Sequence, residues 1–189
     1  MRRGTLIVLA GPSGVGKGSV VERLRSRDPE GLAVSISATT RRKRPGETGG
    51  VDYLFVDDAG FDRMVAAGDL LEWAEVYPGR RYGTPRSFVD RTLAEGRDVV
   101  LEIDVQGAAQ IRSQAPEAVL ILLAPPSMDA LEARLRGRGT EDEASVAERL
   151  AAAARELEQA GWFDHVVVND DVDRAADEVA AIIEAFRTR

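Results

Sequence analysis

Three groups of residues in this chain could do chemistry by type and spacing. Gly11, Pro12, Ser13, Gly14, Val15, Gly16 and Lys17 follow an apolar run, Leu6 to Ala10, and open a segment with helical pattern. In that context glycines turn backbone N–H groups onto phosphate oxygens, a helix N-terminus adds partial positive charge, and the lysine reaches the β- and γ-phosphates of a nucleotide. Gly18 intervenes before the next hydroxyl, Ser19, whereas the strict form of the loop has Ser or Thr directly after its lysine. The second group, Arg41-Arg42-Lys43-Arg44, is the densest positive run of an acidic protein, and Arg41 and Arg44 can offer planar forked donors to a phosphate. The third is Glu102 and Asp104, two apart at the end of an apolar run, so that period-2 geometry puts both carboxylates on one side of a strand. Taken alone, a basic run is more often a solvated loop, and paired carboxylates suit hydrolytic acid and base catalysis. Nothing else in the sequence supports a glycosidase or a protease.

Composition removes other chemistries. The 189 residues suit one compact domain, and 25 basic against 32 acidic residues give a formal charge of −7, which leaves no overall attraction to nucleic acid or to an anionic membrane. Cations that bind anions must therefore be clustered locally. Cysteine is absent, which excludes disulfides, thiolate zinc sites, iron–sulfur clusters and cysteine nucleophiles together. His165, the single histidine, reads as structural. The apolar run after Met1-Arg2-Arg3 is too short for a signal peptide and is followed by glycines, so it reads as a buried strand; no stretch approaches the ~18 apolar residues of a membrane span. We expect a soluble cytoplasmic protein.

The elements that must position these groups alternate. Leu6 to Ala10, Val99 to Ile103, Val119 to Ala124 and Val166 to Val168 are apolar without alternation, which suits strands covered on both faces; Leu32 to Ser37 is a weaker fifth. Between them, helical segments are opened by Thr84 and Pro85 and stopped by Gly96, opened by Ser127, and run from Ser145 to Gln159 with a stop at Gly161. The pattern predicts an α/β fold with a parallel sheet between helices. Residues 38 to 84 break the rhythm with a basic loop, a short strand near Tyr53 to Val56, a helix from Asp58 to Gly68 and a strand-like Leu70 to Val76, and read as an inserted lobe.

The stretch from Thr39 to Phe55, Thr-Thr-Arg-Arg-Lys-Arg-Pro-Gly-Glu-Thr-Gly-Gly-Val-Asp-Tyr-Leu-Phe, resembles the guanylate kinase signature at every specified position. Further matches follow in family order: Leu71 to Ala74, Tyr82-Gly83-Thr84, Leu101 to Gly107, Ala124 to Ser127, Arg136 to Glu141, and Val168-Asn169-Asp170. The Gly-Lys-Gly-Ser sequence is likewise similar to nucleoside monophosphate kinases rather than to GTPases, whose Asn-Lys-x-Asp motif is missing. The resemblance covers almost the whole chain and implies phosphorylation of GMP, and of dGMP, to GDP with ATP and Mg²⁺ in purine nucleotide metabolism.

The resemblance also implies residue roles. Gly11 to Ser19, with Asn169 and Asp170 near adenine, would bind ATP. Arg41, Arg44, Tyr53 and Tyr82 would hold the GMP phosphate, while Ser37, Glu72, Thr84 and Asp104 would contact the rest of GMP. A carboxylate at Glu72 suits guanine, whose adjacent N1–H and N2–H groups need an acceptor. Lys17, Arg41, Arg134, Arg138 and Arg149 would neutralise charge during transfer. Ser19 and Glu102 would lie near the metal, acting directly or through water. The implied architecture is a P-loop kinase fold with a five-stranded parallel sheet in the order 2-3-1-4-5. Its core would span about 1–37, 85–136 and 146–189, with the GMP lobe at about 38–84 and a lid at about 137–145. ATP and GMP are the implied partners, without nucleic acid, membrane or a protein partner. Two alternatives stand beside this one: a sugar-phosphate kinase of the ribose-bisphosphate type, which has no need of Glu72, and a non-catalytic guanylate-kinase-like binding module.

Overall fold

The computed structural model describes residues 3–77, 79–137 and 143–188. Five strands form the central sheet: β1 (Leu6–Ala10), β2 (Leu32–Val34), β7 (Asp98–Ile103), β8 (Val119–Ala124) and β9 (His165–Val168). Their order is β2-β7-β1-β8-β9 and every pairing is parallel, which in chain order of these five is the expected 2-3-1-4-5. The alternation hidden inside the apolar runs now has a meaning. Leu6, Val8 and Ala10 of β1 pack with α3 (Arg86–Ala94) and α4 (Val105–Gln114) on one face, whereas Ile7 and Leu9 pack with α1 (Lys17–Arg27) and α7 (Val172–Arg187) on the other. Both faces are apolar because both are covered by helices.

Residues 38 to 85 form a second sheet, ordered β4-β3-β6-β5, from β3 (Ala38–Thr39), β4 (Leu54–Phe55), β5 (Leu70–Tyr77) and β6 (Arg80–Pro85). It closes on α2 (Asp58–Ala67) through Phe61, Leu70 and Ala38. Asp57 caps α2 by accepting from Gly60 N–H at 2.6 Å, and Gly68 ends it. The lobe is tied to the core by side chains that imitate backbone. Gln110 of α4 accepts from Trp73 N–H at 3.1 Å and donates to Trp73 C=O at 2.7 Å, completing the outer edge of β5. Arg86 at the start of α3 donates to Gln114 of α4 at 2.7 Å. Between β8 and β9 lie α5 (Met128–Arg136), capped by Ser127 as its sequence predicts, and α6 (Glu143–Leu157).

Several boundaries differ from the sequence expectation for physical reasons. The strand expected over Leu32 to Ser37 ends at Val34: Ser35 N–H still donates to Val100, but Ser37 C=O turns to the small sheet and accepts from Leu54 N–H at 2.9 Å. Pro85 is the N-cap of the expected helix, as the sequence predicts, but Thr84 and Pro85 also belong to a strand. They end β6, where Thr84 pairs with Glu72, and α3 starts at Arg86. The helix expected from Ser145 to Gln159 lies two residues earlier, at Glu143–Leu157. His165 is half-buried with its ring edge-on to Phe186, which fits the structural role expected of it. Among the described residues no helix is long and apolar enough to cross a membrane.

Candidate active site

The phosphate-type loop crosses the C-terminal end of β1, where ligands enter open α/β sheets. Gly16 sits at the cap of α1 with φ of 98°, a left-handed conformation that favours glycine, and a Cβ there would lie 2.5 Å from Asn169 Nδ2. No side chain caps α1, so the N–H groups of its first turn face the loop. Ser19 stands exposed in that turn. Lys17 reaches back to the carbonyls of Gly11 and Pro12, the latter at 3.3 Å.

The loop is braced from behind. Asn169, only 1% exposed, donates from Nδ2 to Val15 C=O at 2.8 Å. Arg134 donates to the same carbonyl at 3.1 Å and to Asn169 C=O at 2.8 Å. Both residues, expected to meet ATP, thus shape the main chain that faces it. Asp170 is exposed and paired with Arg174 at 2.8 Å. Arg149 of α6 does reach the loop, donating to Ser13 Oγ at 3.1 Å. Arg138 lies outside the described residues.

The opposite end is built from side chains. Glu72 of β5 is 4% exposed and accepts from the Thr84 hydroxyl at 2.6 Å. Its other oxygen lies against the first turn of α4, where a Cβ on Gly107 would come within 2.6 Å of it. Only glycine permits that approach. Burial pushes the Glu72 carboxyl up to about 7, with the Thr84 hydrogen bond opposing and the charge of Asp104 adding to the rise. Asp104 caps α4 by accepting from Gly107 N–H at 2.7 Å.

Arg41, 9% exposed, makes a two-pronged pair with Glu47 at 2.7 and 3.0 Å and lies over the ring of Tyr53, 5.0 Å from its centroid. Glu47 also accepts from Arg44 N–H at 2.7 Å, so one carboxylate shapes the whole basic loop; the Arg41 hydrogen bonds pull it down to about 2. The Arg44 side chain is exposed. Tyr82 meets Tyr53 edge to face at 6.1 Å. Burial, helped by the negative charge of Glu102, raises the Tyr53 phenol and keeps it an O–H donor.

Between the two ends runs a cleft of about 1410 Å³, larger than the ~300–1,000 Å³ that one small ligand fills. Gly11, Ser13, Lys17, Ser37, Tyr53, Glu72, Tyr82, Glu102, Asp104 and Arg149 all line it. The geometry offers main-chain donors and a lysine from the loop, a buried carboxylate acceptor from the lobe, and two phenols; Arg41, Arg44 and Thr84 are not among the residues that line the cleft, Arg41 lying against the Tyr53 ring. Depth in the cleft raises the Glu102 carboxyl, and Lys17 opposes the rise. Among the described residues no group of three or more His, Cys, Asp or Glu side chains could hold a metal alone.

A sequence profile of guanylate kinase matches residues 3–186, nearly the whole chain. The chain belongs to the guanylate kinase family. Its sequence is 56% identical over 182 residues to guanylate kinase from Leifsonia xyli subsp. xyli, covering 96% of this chain and 71% of that protein. Against guanylate kinase from Bacillus subtilis the figures are 50% over 183 residues, 97% and 89%. The crystal structure of guanylate kinase from Anaplasma phagocytophilum superposes with a TM-score of 0.81 at 33% identity, covering all of this chain and 89% of the other. Membership of the guanylate kinase family makes the chain an enzyme, a phosphotransferase.

Sequence reasoning gave Glu47 and Gly107 no role of their own. An acid six residues after Arg41 in a basic loop was a usable signal for Glu47. Gly107 had none, because the residue it accommodates lies in another lobe.

Proposed function

We propose that this chain transfers the γ-phosphoryl group of ATP to a phosphate oxygen of GMP, or dGMP, giving ADP and GDP by direct in-line displacement in cytoplasmic purine nucleotide metabolism. The observation that carries the reading is Glu72, a buried carboxylate at the end of the cleft farthest from the phosphate loop. Its acceptor-only chemistry matches the adjacent donors of guanine and repels the ring nitrogen acceptor that adenine presents there. Ser37, Thr84 and Asp104 complete that end. Arg41, Arg44, Tyr53 and Tyr82 hold the acceptor phosphate. Lys17, released from the loop carbonyls, and the N–H groups of Gly11 and of residues 13–19 hold the phosphates of ATP, with Asn169 and Arg134 bracing the loop from behind and Asp170 near adenine.

The two substrates are both anions, and their approach needs cations from both lobes. Lys17, Arg41, Arg134, Arg138 and Arg149 supply them; the lid expected at about 137–145, whose residues 138–142 lie outside the described residues, would exclude water. We assign the core to about 1–37, 85–136 and 146–189 and the acceptor lobe to about 38–84; a second sheet over residues 38 to 85 supports that division. The residues present fit Mg²⁺ held largely by nucleotide oxygens and water, with Glu102 and the Ser19 hydroxyl on its border. When bound, Mg²⁺ neutralises charge on the transferring phosphates. Phosphoryl transfer of this kind asks for positioning more than for a protein nucleophile.

The test is ADP release with ATP and Mg²⁺, offering GMP, dGMP, AMP, CMP, UMP and ribose 1,5-bisphosphate in parallel. Turnover confined to GMP and dGMP is the expected result. Turnover of the sugar phosphate, or none from folded protein that binds ATP, overturns the reading.

A further inference from the structure

Three buried side-chain polar atoms among the described residues lack a hydrogen-bond partner: Ser35 Oγ, Asn169 Oδ1 and Glu156 Oε2. Asn169 is held through its other amide atom, and Ser35 through its backbone N–H. Glu156 is different, because it is a carboxylate, it lines the cleft, and neither the fold nor the mechanism above uses it. An unpartnered buried carboxylate oxygen costs free energy that a native structure offsets when a ligand brings a donor.

The surroundings narrow what that donor is. Ser145, Arg149, Ala152 and Glu156 follow one another at helical spacing and all line the cleft, so one stripe of α6 forms its wall. Arg149, at the loop end of the stripe, touches Ser13. Ala152 is small and leaves a notch between Arg149 and Glu156. Burial raises the Glu156 carboxyl, with the charge of Lys17 opposing the rise and that of Asp104 adding to it. Asp104 in turn acts on Glu72. Glu156 therefore shares the cleft with Glu72 and Asp104 of the base-reading end and with Lys17 of the loop, within electrostatic reach of Asp104 and Lys17. In an acceptor nucleotide, the group between base and phosphate is the ribose, and its free donors are hydroxyls.

Resting on the reading of GMP as acceptor, we propose that Glu156 accepts a hydrogen bond from a ribose hydroxyl of the acceptor nucleotide and so helps to distinguish ribonucleotide from deoxyribonucleotide. Phosphate binding is already supplied by Arg41 and the tyrosines, and an anionic Glu156 would repel a phosphate. A hydroxyl donor suits the site on both counts.

The experiment measures kcat/KM for GMP, 2′-deoxy-GMP and 3′-deoxy-GMP with the whole chain, its Glu156→Ala variant and its Glu156→Gln variant. Thermal melts confirm that each is folded. Glu156→Ala is expected to lose roughly ten-fold or more on GMP, the scale of a hydrogen bond to a charged group. It should lose much less on the analogue that lacks the hydroxyl concerned, so that its preference for GMP over that analogue collapses. Glu156→Gln, which keeps an acceptor oxygen, should retain most of the preference. Equal losses on all three acceptors overturn the proposal, and a rise in the KM for ATP alongside them would make Glu156 a positioning residue for Lys17. Wild type that phosphorylates none of the three fails the GMP reading itself, and this proposal with it.

Discussion

The two ends of the cleft bind by different means. At the loop end the donors are main-chain N–H groups, fixed by the backbone of Gly11 to Gly16 and propped by Asn169 and Arg134 from behind. At the lobe end the groups offered are side chains on β5, β6 and the loop between β3 and β4, among them Glu72, held by Thr84, and Arg41, held by Glu47. A phosphate is the same in every nucleotide, so a backbone cradle can serve it without choosing. A base must be chosen, and choice requires side chains whose donors and acceptors differ. The difference teaches that one end should govern rate and the other selectivity.

Substitution of the lysine is the strongest way to break that division. Lys17→Ala is expected to lower kcat on the order of 10³-fold while leaving the melting temperature and GMP binding by calorimetry nearly unchanged. A comparable loss in GMP affinity would mean that the ends are not separable.

Glu72→Gln comes second. It should weaken GMP by about 1.5–3 kcal/mol, roughly ten- to hundred-fold in KM, with kcat and the KM for ATP much less affected. The pH response follows from the same residue. Guanine donates to the anion, and burial holds the carboxyl near 7. The KM for GMP of wild type should therefore fall as pH rises through about 7 and level off above it, and Glu72→Gln should flatten that profile. The stability sign is the reverse. A carboxyl raised from 4.5 to about 7 favours folding most below 4.5 and loses that contribution as pH rises through 7, an amount of about 3 kcal/mol. Glu72→Gln should thus gain in melting temperature relative to wild type between pH 5 and pH 8. A constant difference would show that Glu72 titrates as an ordinary glutamate.

The smallest effect is expected at the tie between the lobes. Gln110→Leu removes two hydrogen bonds at the edge of β5, and should cost about 1–2 kcal/mol in denaturant unfolding while changing neither kcat nor base preference by more than a few-fold. A large change in base preference would place the selectivity in the hinge and not in Glu72.

What the sequence disclosed follows the same line between the ends. The strands β1 and β8 were legible to the residue, since parallel strands covered on both faces read as unbroken apolar runs. The loop was legible because its glycines and lysine are contiguous. β3, two residues long, and β6, which carries Arg80 and Arg81, were not: neither has a pattern of its own, and their pairing with β4 and β5 defines them. Glu72 was named through resemblance, not through a pattern of its own. Its burial depends on Thr84 and on Gly107, residues from β6 and α4. Asn169 and Arg134 were named through the resemblance, and their hydrogen bonds to Val15 C=O could not be read from sequence, because the three residues lie far apart in the chain.

The outer strand of the small sheet, β5, ends that sheet with a run of backbone groups that another chain could pair with. At Trp73, itself 39% exposed, both outward groups are already taken by the Gln110 amide. The same two bonds that hold the lobes together therefore close the edge to a foreign strand at an exposed tryptophan, and protect the lobe from aggregating through it.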